Sequence, residues 1–193
     1  MDDSEIRVFF GIPVVAERWD YAKELAESIG LTKENLFLDS KHKGCLWNKM
    51  RIYDHAAKLG YTHVCINDDD CIVCDNYKSL VLKCVKRFPD AVITFYDNEI
   101  SHSDTFFIRR PNCQLSGTAF VIPLKFLDDY KEFYNRHLAQ YRFDWEETVT
   151  KMFCMMNDID VYLTVPESCR CSQRACYYCE KRQVDTASKR IVH

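Results

Sequence analysis

The chain has 193 residues, a formal net charge of −3 and 47% hydrophobic residues. That suits one domain with its own core and room for a small appendage. The charge balance argues against a surface coated for nucleic acid, and no stretch approaches the ~20 apolar residues of a membrane span.

The charge is uneven. Residues 167–193 hold six Lys/Arg against three Asp/Glu, so this segment is +3 and residues 1–166 are −6. The opening Met-Asp-Asp-Ser-Glu lacks the form of a secretory signal. A reducing, cytoplasmic setting is therefore expected, with the eleven cysteines as thiols or metal ligands.

In chain order, the apolar run 6–10 predicts a buried strand. Residues 21–29 predict a helix, with Ala22, Leu25, Ala26 and Ile29 on one face and Gly30 as its stop. A short strand at 36–38 ends at Asp39. A helix over 47–59 follows, closed by Gly60, and then a buried strand at 63–66. Further helices are expected at 77–88, after Pro123 and at 145–156. Strands are expected at 91–96, 118–122 and 161–165, with 105–109 as an antiparallel neighbour of 91–96. This alternation predicts an α/β domain over 1–166, a mostly parallel sheet covered on both faces, with 167–193 as a basic, Cys-rich appendage. In such sheets ligands sit at the carboxyl ends of the strands.

Asp68-Asp69-Asp70 follows the strand at 63–66 directly. Three adjacent carboxylates repel one another unless something offsets the charge, and a hard divalent cation such as Mg²⁺ or Mn²⁺ does so through oxygen ligands. Asp68 and Asp70 are the expected metal ligands, with the metal acting as a Lewis acid on a departing diphosphate. An acidic turn that only caps the next element has the same sequence appearance. Cys71-x-x-Cys74 reads as two packed thiols rather than a redox pair.

Beyond 166, Cys169-x-Cys171-x4-Cys176-x2-Cys179 could hold a structural Zn²⁺ with four thiolates; a disulfide pair or unligated thiols are the alternatives. Arg170, Arg174, Lys181 and Arg182 beside Tyr177 and Tyr178 form a basic, aromatic patch suited to phosphates and bases. A solvated tail has the same composition.

Gly44-Cys-Leu-Trp-Asn48, then Ala57, Gly60 and Cys65-Ile-Asn-Asp-Asp-Asp70, resembles the inverting family-2-like glycosyltransferases of the GT-A fold. Arg18, Asp39, Gly117 in Ser-Gly-Thr-Ala-Phe, and Asp144-Trp-Glu146-Glu147 fall in the order of that family's motifs, over roughly residues 5–168. The acidic pair reads Glu-Glu where Glu-Asp is usual. The resemblance implies a metal-dependent enzyme that moves a sugar from a nucleoside diphosphate sugar, a UDP-sugar being favoured, to an acceptor hydroxyl. It implies Asp39 at the base, Arg18 near the nucleotide, Asp68 and Asp69 toward ribose and sugar, and Asp70 on the metal. Lys43, Asn48 and Lys49 would lie near the diphosphate and Gly117 near the acceptor. Glu147, then Glu146 and Asp144, would be the candidates for the catalytic base.

Each residue also has a plainer role. Arg18 suits a surface helix start, Asp39 a turn cap, Gly117 a tight turn, and the three acids at 144–147 the positive end of a helix. The basic tail suggests a hydroxylated DNA base as acceptor, as in phage enzymes that glucosylate modified DNA. Two other functions fit less well. A sugar-nucleotide nucleotidyltransferase normally carries a Gly-rich phosphate loop, where this chain has Gly11-Ile-Pro-Val. A non-catalytic, zinc-containing nucleic-acid-binding protein leaves the triplet without a role.

Overall fold

The computed structural model describes residues 5–95, 107–109, 118–141, 146–164 and 169–171. Strands β1 (Val8–Val14), β2 (Leu36–Leu38) and β3 (His63–Asn67) alternate with helices α1 (Trp19–Ile29) and α2 (Cys45–Lys58). The short strand β4 (Cys71–Val73) leads to α3 (Tyr77–Arg87) and β5 (Val92–Thr94). Then come β6 (Phe107–Arg109), β7 (Ala119–Pro123), α4 (Leu127–Tyr141), α5 (Glu146–Met156), β8 (Val161–Thr164) and β9 (Cys169–Cys171).

Seven strands form one sheet in the order β2-β1-β3-β7-β5-β8-β6. The pairs β1·β2, β1·β3 and β5·β8 are parallel; β3·β7, β5·β7 and β6·β8 are antiparallel. Five strands therefore run one way, and β7 and β6 run against them. The result is a Rossmann-like α/β sheet, mixed but mostly parallel. The segment expected beside 91–96 as an antiparallel neighbour pairs with β8 instead. Its short apolar run is consistent with a strand but carries no partner choice.

Successive strand residues point to opposite faces, and both faces are covered. Phe10, Ile12, Val14, Cys65 and Val121 pack with Leu25 of α1 and Val81 and Val85 of α3. Phe9, Val64, Ile66, Phe120 and Ile122 pack with Ile52 and Tyr53 of α2, Tyr130 of α4 and Phe153 of α5. Burial on both faces explains why β1 and β3 read as continuous apolar runs. His63, buried in β3, places Nε2 2.9 Å from the Pro89 carbonyl oxygen and Nδ1 2.8 Å from Thr62 Oγ1. Burial pushes its pKa down, and both ring nitrogens have partners, as suits a core histidine.

The β4·β9 pair is a separate antiparallel ribbon, with Cys71 opposite Cys171 and Val73 opposite Cys169. The segment expected as an appendage thus begins with a strand joined to the chain just beyond the triplet.

At Gly11, β1 passes tightly against the Ile52 side chain of α2. A Cβ on Gly11 would stand 2.3 Å from Ile52 Cγ2, and Ile52 is fully buried. Gly11→Ala should destabilise the fold by ~1–3 kcal/mol, the usual cost of overpacking. Adding Ile52→Leu, which removes the β-branched methyl, should recover part of that loss. Urea unfolding of both variants checks the coupling.

Candidate functional site

Because β1, β2 and β3 are mutually parallel, their carboxyl ends meet at one edge of the sheet. Three chain segments leave that edge. After β1, a short 3₁₀ turn, Ala16–Arg18, presents Arg18. After β2 comes Asp39, and after β3 the triplet 68–70. The three elements flagged in sequence therefore converge, as the rule for strand ends in α/β sheets requires.

The triplet is a tight turn closed by the Cys71 amide donating to the Asp68 carbonyl at 3.0 Å. The Thr118 carbonyl oxygen fixes it from the neighbouring strand. That oxygen accepts the Asp68 amide at 2.8 Å and the Cys71 thiol at 2.8 Å. Beneath the turn, fully buried Asn67 accepts a 2.6 Å hydrogen bond from the Tyr77 hydroxyl of α3. Thr118, Asn67 and Tyr77 position the site, yet the sequence carried no signal for Thr118 or Tyr77. Asn67 could have been noticed only through its place beside the aspartates.

Among the described residues, Arg18 and Lys49 lie against the three carboxylates. Arg18 Nη2 lies 2.8 Å from Asp69 Oδ1 and 3.3 Å from Asp70 Oδ2. Lys49 Nζ lies 3.0 Å from Asp68 Oδ1. The Lys49 side chain is only 2% exposed and sits 5.7 Å from the centroid of the Phe120 ring. A lysine so buried requires a counter-charge. Lys49, expected near a diphosphate, lies buried against Asp68. These protein cations offset part of the repulsion within the triplet.

The carboxylates are not equivalent. Asp68 keeps 30% of its side chain exposed, Asp70 12% and Asp69 8%. Burial pushes the Asp69 carboxyl up to about 6, against the pull of Arg18 and with the repulsion of Asp70 adding to the rise. Burial alone would lower the Arg18 pKa, but Asp69, Asp70 and Asp68 together raise it.

Asp39 is 2% exposed. Its Oδ2 accepts the Gly44 amide at 2.9 Å and its Oδ1 the Lys41 amide at 3.3 Å. Burial would raise its pKa; these bonds, one from the Lys43 amide and the nearby His42 outweigh that and hold it below the usual carboxylate range. Asp39 thus clamps the 41–44 loop onto the start of α2. Asn48 donates to the Phe37 carbonyl at 2.5 Å and accepts from Arg51 at 3.0 Å, tying α2 to β2. Both residues, expected to touch the nucleotide, support the backbone that frames the edge. Trp47 holds Lys43 Nζ at 4.6 Å and Arg51 Cζ at 4.8 Å from its ring centroid.

Glu146 and Glu147 open α5. Asp144, Gly117, Cys176 and Cys179 lie outside the described residues, while Cys169 and Cys171 fall in β9. Cys71 is buried beneath the turn, whereas Cys74 is exposed with its thiol toward Asn76 Oδ1 at 3.2 Å. The two thiols do not converge.

Among the described residues no group of three or more His, Cys, Asp or Glu is gathered as a ready metal cage. The donor chemistry nevertheless suits a hard divalent cation, which usually takes one or two carboxylates and completes its shell with water and substrate phosphates. Arg18 Nη2 already places positive charge between oxygens of Asp69 and Asp70. Asp68 and Asp70 remain the residues that would hold Mg²⁺ or Mn²⁺.

No family model matches the sequence, and no curated protein matches it. Among solved structures the chain is similar to A197 from STIV, with 12% identity and a TM-score of 0.53 over 86% of this chain and 84% of that one. At this identity the likeness concerns the fold, and it agrees with a Rossmann-like α/β sheet. Among the described residues no helix is long and apolar enough to cross a membrane.

The raised Asp69 pKa sets a pH dependence. Between the ordinary value of 3.8 and about 6 the folded chain holds a proton that the unfolded chain lacks. The stability this group contributes is complete below about pH 4 and is lost as pH rises to about 6. Relative to Asp69→Asn, the wild type should lose on the order of 3 kcal/mol across that window. Denaturant unfolding of both proteins at pH 4, 5 and 6.5 checks this; a constant difference would contradict the burial argument.

Proposed function

We propose that the chain is a metal-dependent glycosyltransferase that transfers a sugar from a nucleoside diphosphate sugar to an acceptor hydroxyl. The observation that carries this reading is the placement of Asp68-Asp69-Asp70. It occupies a fixed turn at the carboxyl end of buried β3, beside the ends of β1 and β2 and next to Arg18. The order of the motifs in the sequence supports the same reading, and a UDP-sugar is the favoured donor.

In this reading Asp68 and Asp70 hold Mn²⁺ or Mg²⁺, which when bound supplies positive charge for the leaving diphosphate. Lys49 fixes Asp68 in place from below. Asp69, buried and paired with Arg18, anchors the turn and faces the sugar side. Glu147 takes the acceptor proton, with Glu146 and Asp144 as the next candidates for general base. Gly117 belongs to the acceptor side. An inverting outcome accords with a single base acting on the acceptor. The basic segment after β8 suggests a hydroxylated DNA base as acceptor, and a cytoplasmic setting belongs to the same proposal. A Zn²⁺ knuckle of Cys169, Cys171, Cys176 and Cys179 belongs to the same proposal.

Thermal unfolding with UDP-glucose and Mn²⁺, separately and together, tests the donor site. The midpoint should rise clearly only with both present, and Asp70→Ala should remove the joint effect. Slow hydrolysis of the donor should release UDP. Release of pyrophosphate from a nucleotide triphosphate and sugar phosphate would replace this reading with a nucleotidyltransferase.

A further inference from the structure

Beside the end of β2, Lys43, Trp47 and Arg51 follow one another at four-residue intervals. Trp47 and Arg51 share one face of α2, and Lys43 stands on the loop that leads into the helix. Lys43 Nζ and Arg51 Cζ lie 4.6 Å and 4.8 Å from the centroid of the Trp47 ring. The ring therefore holds two like charges within about one Debye length, ~10 Å at 0.1 M salt. Lys41 and Lys43 are exposed, and Trp47 and Arg51 are half-buried. Among the described residues, none of Lys41, Lys43 and Arg51 has a carboxylate at ion-pairing distance. Arg51 Nη1 donates to the Leu38 carbonyl at 3.1 Å and to Asn48 Oδ1 at 3.0 Å, both neutral acceptors. Lys49, on the same helix, is instead neutralised by Asp68, and His42 faces Glu17 at 3.4 Å. Residues 1–166 carry −6, so three cations without counter-ions on one short segment stand out. The segment is also fixed. Asp39 takes the amides of Lys41 and Gly44, and the backbone turns through positive φ at His42 and Gly44. Cations held in advance lower the ordering cost of binding.

We propose that Lys41, Lys43, Trp47 and Arg51 form a binding surface for a single strand of nucleic acid. Its phosphates lie on the three cations, and a base meets the exposed part of the Trp47 ring. The chemistry selects this partner. Cations without counter-ions call for a polyanion, and an aromatic ring set among them adds a contact to bases that is tolerant of sequence. An acidic peptide would answer the charges and leave the ring without a partner. The position fits as well. Strands β2 and β3 flank β1, so the end of β2 lies two strand spacings, about 10 Å, from the triplet after β3. About three nucleotides of one strand cover that distance at ~3.4 Å each. A strand with one base at the triplet thus lays its neighbouring phosphates on this surface. The role of the surface in catalysis rests on the glycosyltransferase reading with a DNA base as acceptor; the binding itself does not.

The test uses the full chain in EDTA, without donor, and a fluorescein-labelled oligothymidylate of about twelve nucleotides followed by anisotropy. Three phosphate contacts predict an affinity that falls about twentyfold between 50 mM and 200 mM salt. The double variant Lys41→Ser/Lys43→Ser should bind about tenfold more weakly at low salt, and its salt dependence should flatten to about threefold. Lys41→Arg/Lys43→Arg should bind like the wild type. Trp47→Leu should lose about tenfold in affinity and keep the salt dependence; should it unfold, the lysine variants carry the test. Absence of binding by the wild type at low salt overturns the proposal. So does a folded Lys41→Ser/Lys43→Ser variant that binds as tightly as the wild type, since the basic tail then holds the strand. Displacement by polyglutamate as readily as by unlabelled oligonucleotide assigns the surface to acidic peptides and overturns it too. Binding through this surface in a wild type that UDP-glucose and Mn²⁺ do not jointly stabilise would uphold the surface and remove the glycosyltransferase reading.

Discussion

Three consecutive carboxylates leave the end of a buried strand, and two cations from different elements hold them there. Lys49 rises from inside α2 to Asp68, and Arg18 comes from the turn after β1 to Asp69 and Asp70. Unit charges about 4 Å apart interact by ~4 kcal/mol at an effective dielectric near 20. The turn at 68–71 is held at the edge of the sheet by the Thr118 carbonyl, with the Asn67 side chain bonded to Tyr77 beneath it. Removing either cation would weaken the charge balance of a partly buried carboxylate, and breaking such a pair costs more than the pair contributes when intact.

Much of the surrounding fold serves this arrangement. Parallel pairing of β1 with β2 and β3 brings three loops to one edge. Asp39, buried and hydrogen-bonded to the amides of the 41–44 loop, fixes where α2 begins. That start sets Lys49 one turn into the helix, on the face shared with Leu46, Ile52 and Tyr53. The aromatic and aliphatic layers on both faces then keep strand and helix in register.

The order of elements was legible because β1 and β3 are apolar throughout and α1 and α3 repeat their apolar residues at helical spacing. Partner choice among strands was not legible: β6 reads as a strand by itself, but its place beside β8 follows from how the whole sheet closes. Convergence of Arg18, Asp39 and the triplet was legible, since each follows a strand. Their chemical duties were only partly so. A lysine at 49 looks in sequence like a surface phosphate ligand, and only packing against Phe120 shows it enclosed. An aspartate beside Ser40 can bind a base or clamp a loop, and the amides at 41, 43 and 44 show the clamp. Nothing in the composition distinguished Asp69, the most deeply buried of the three, from Asp68, the most open.

The central claim is that this carboxylate turn gathers a divalent cation for a nucleotide's phosphates. Anomalous diffraction from a crystal grown with Mn²⁺ and UDP measures it directly. The account predicts a manganese peak about 2.1 Å from oxygens of Asp68 and Asp70, bridged to the diphosphate. A manganese peak away from the triplet, or a nucleotide bound at the opposite end of the strands, would contradict it.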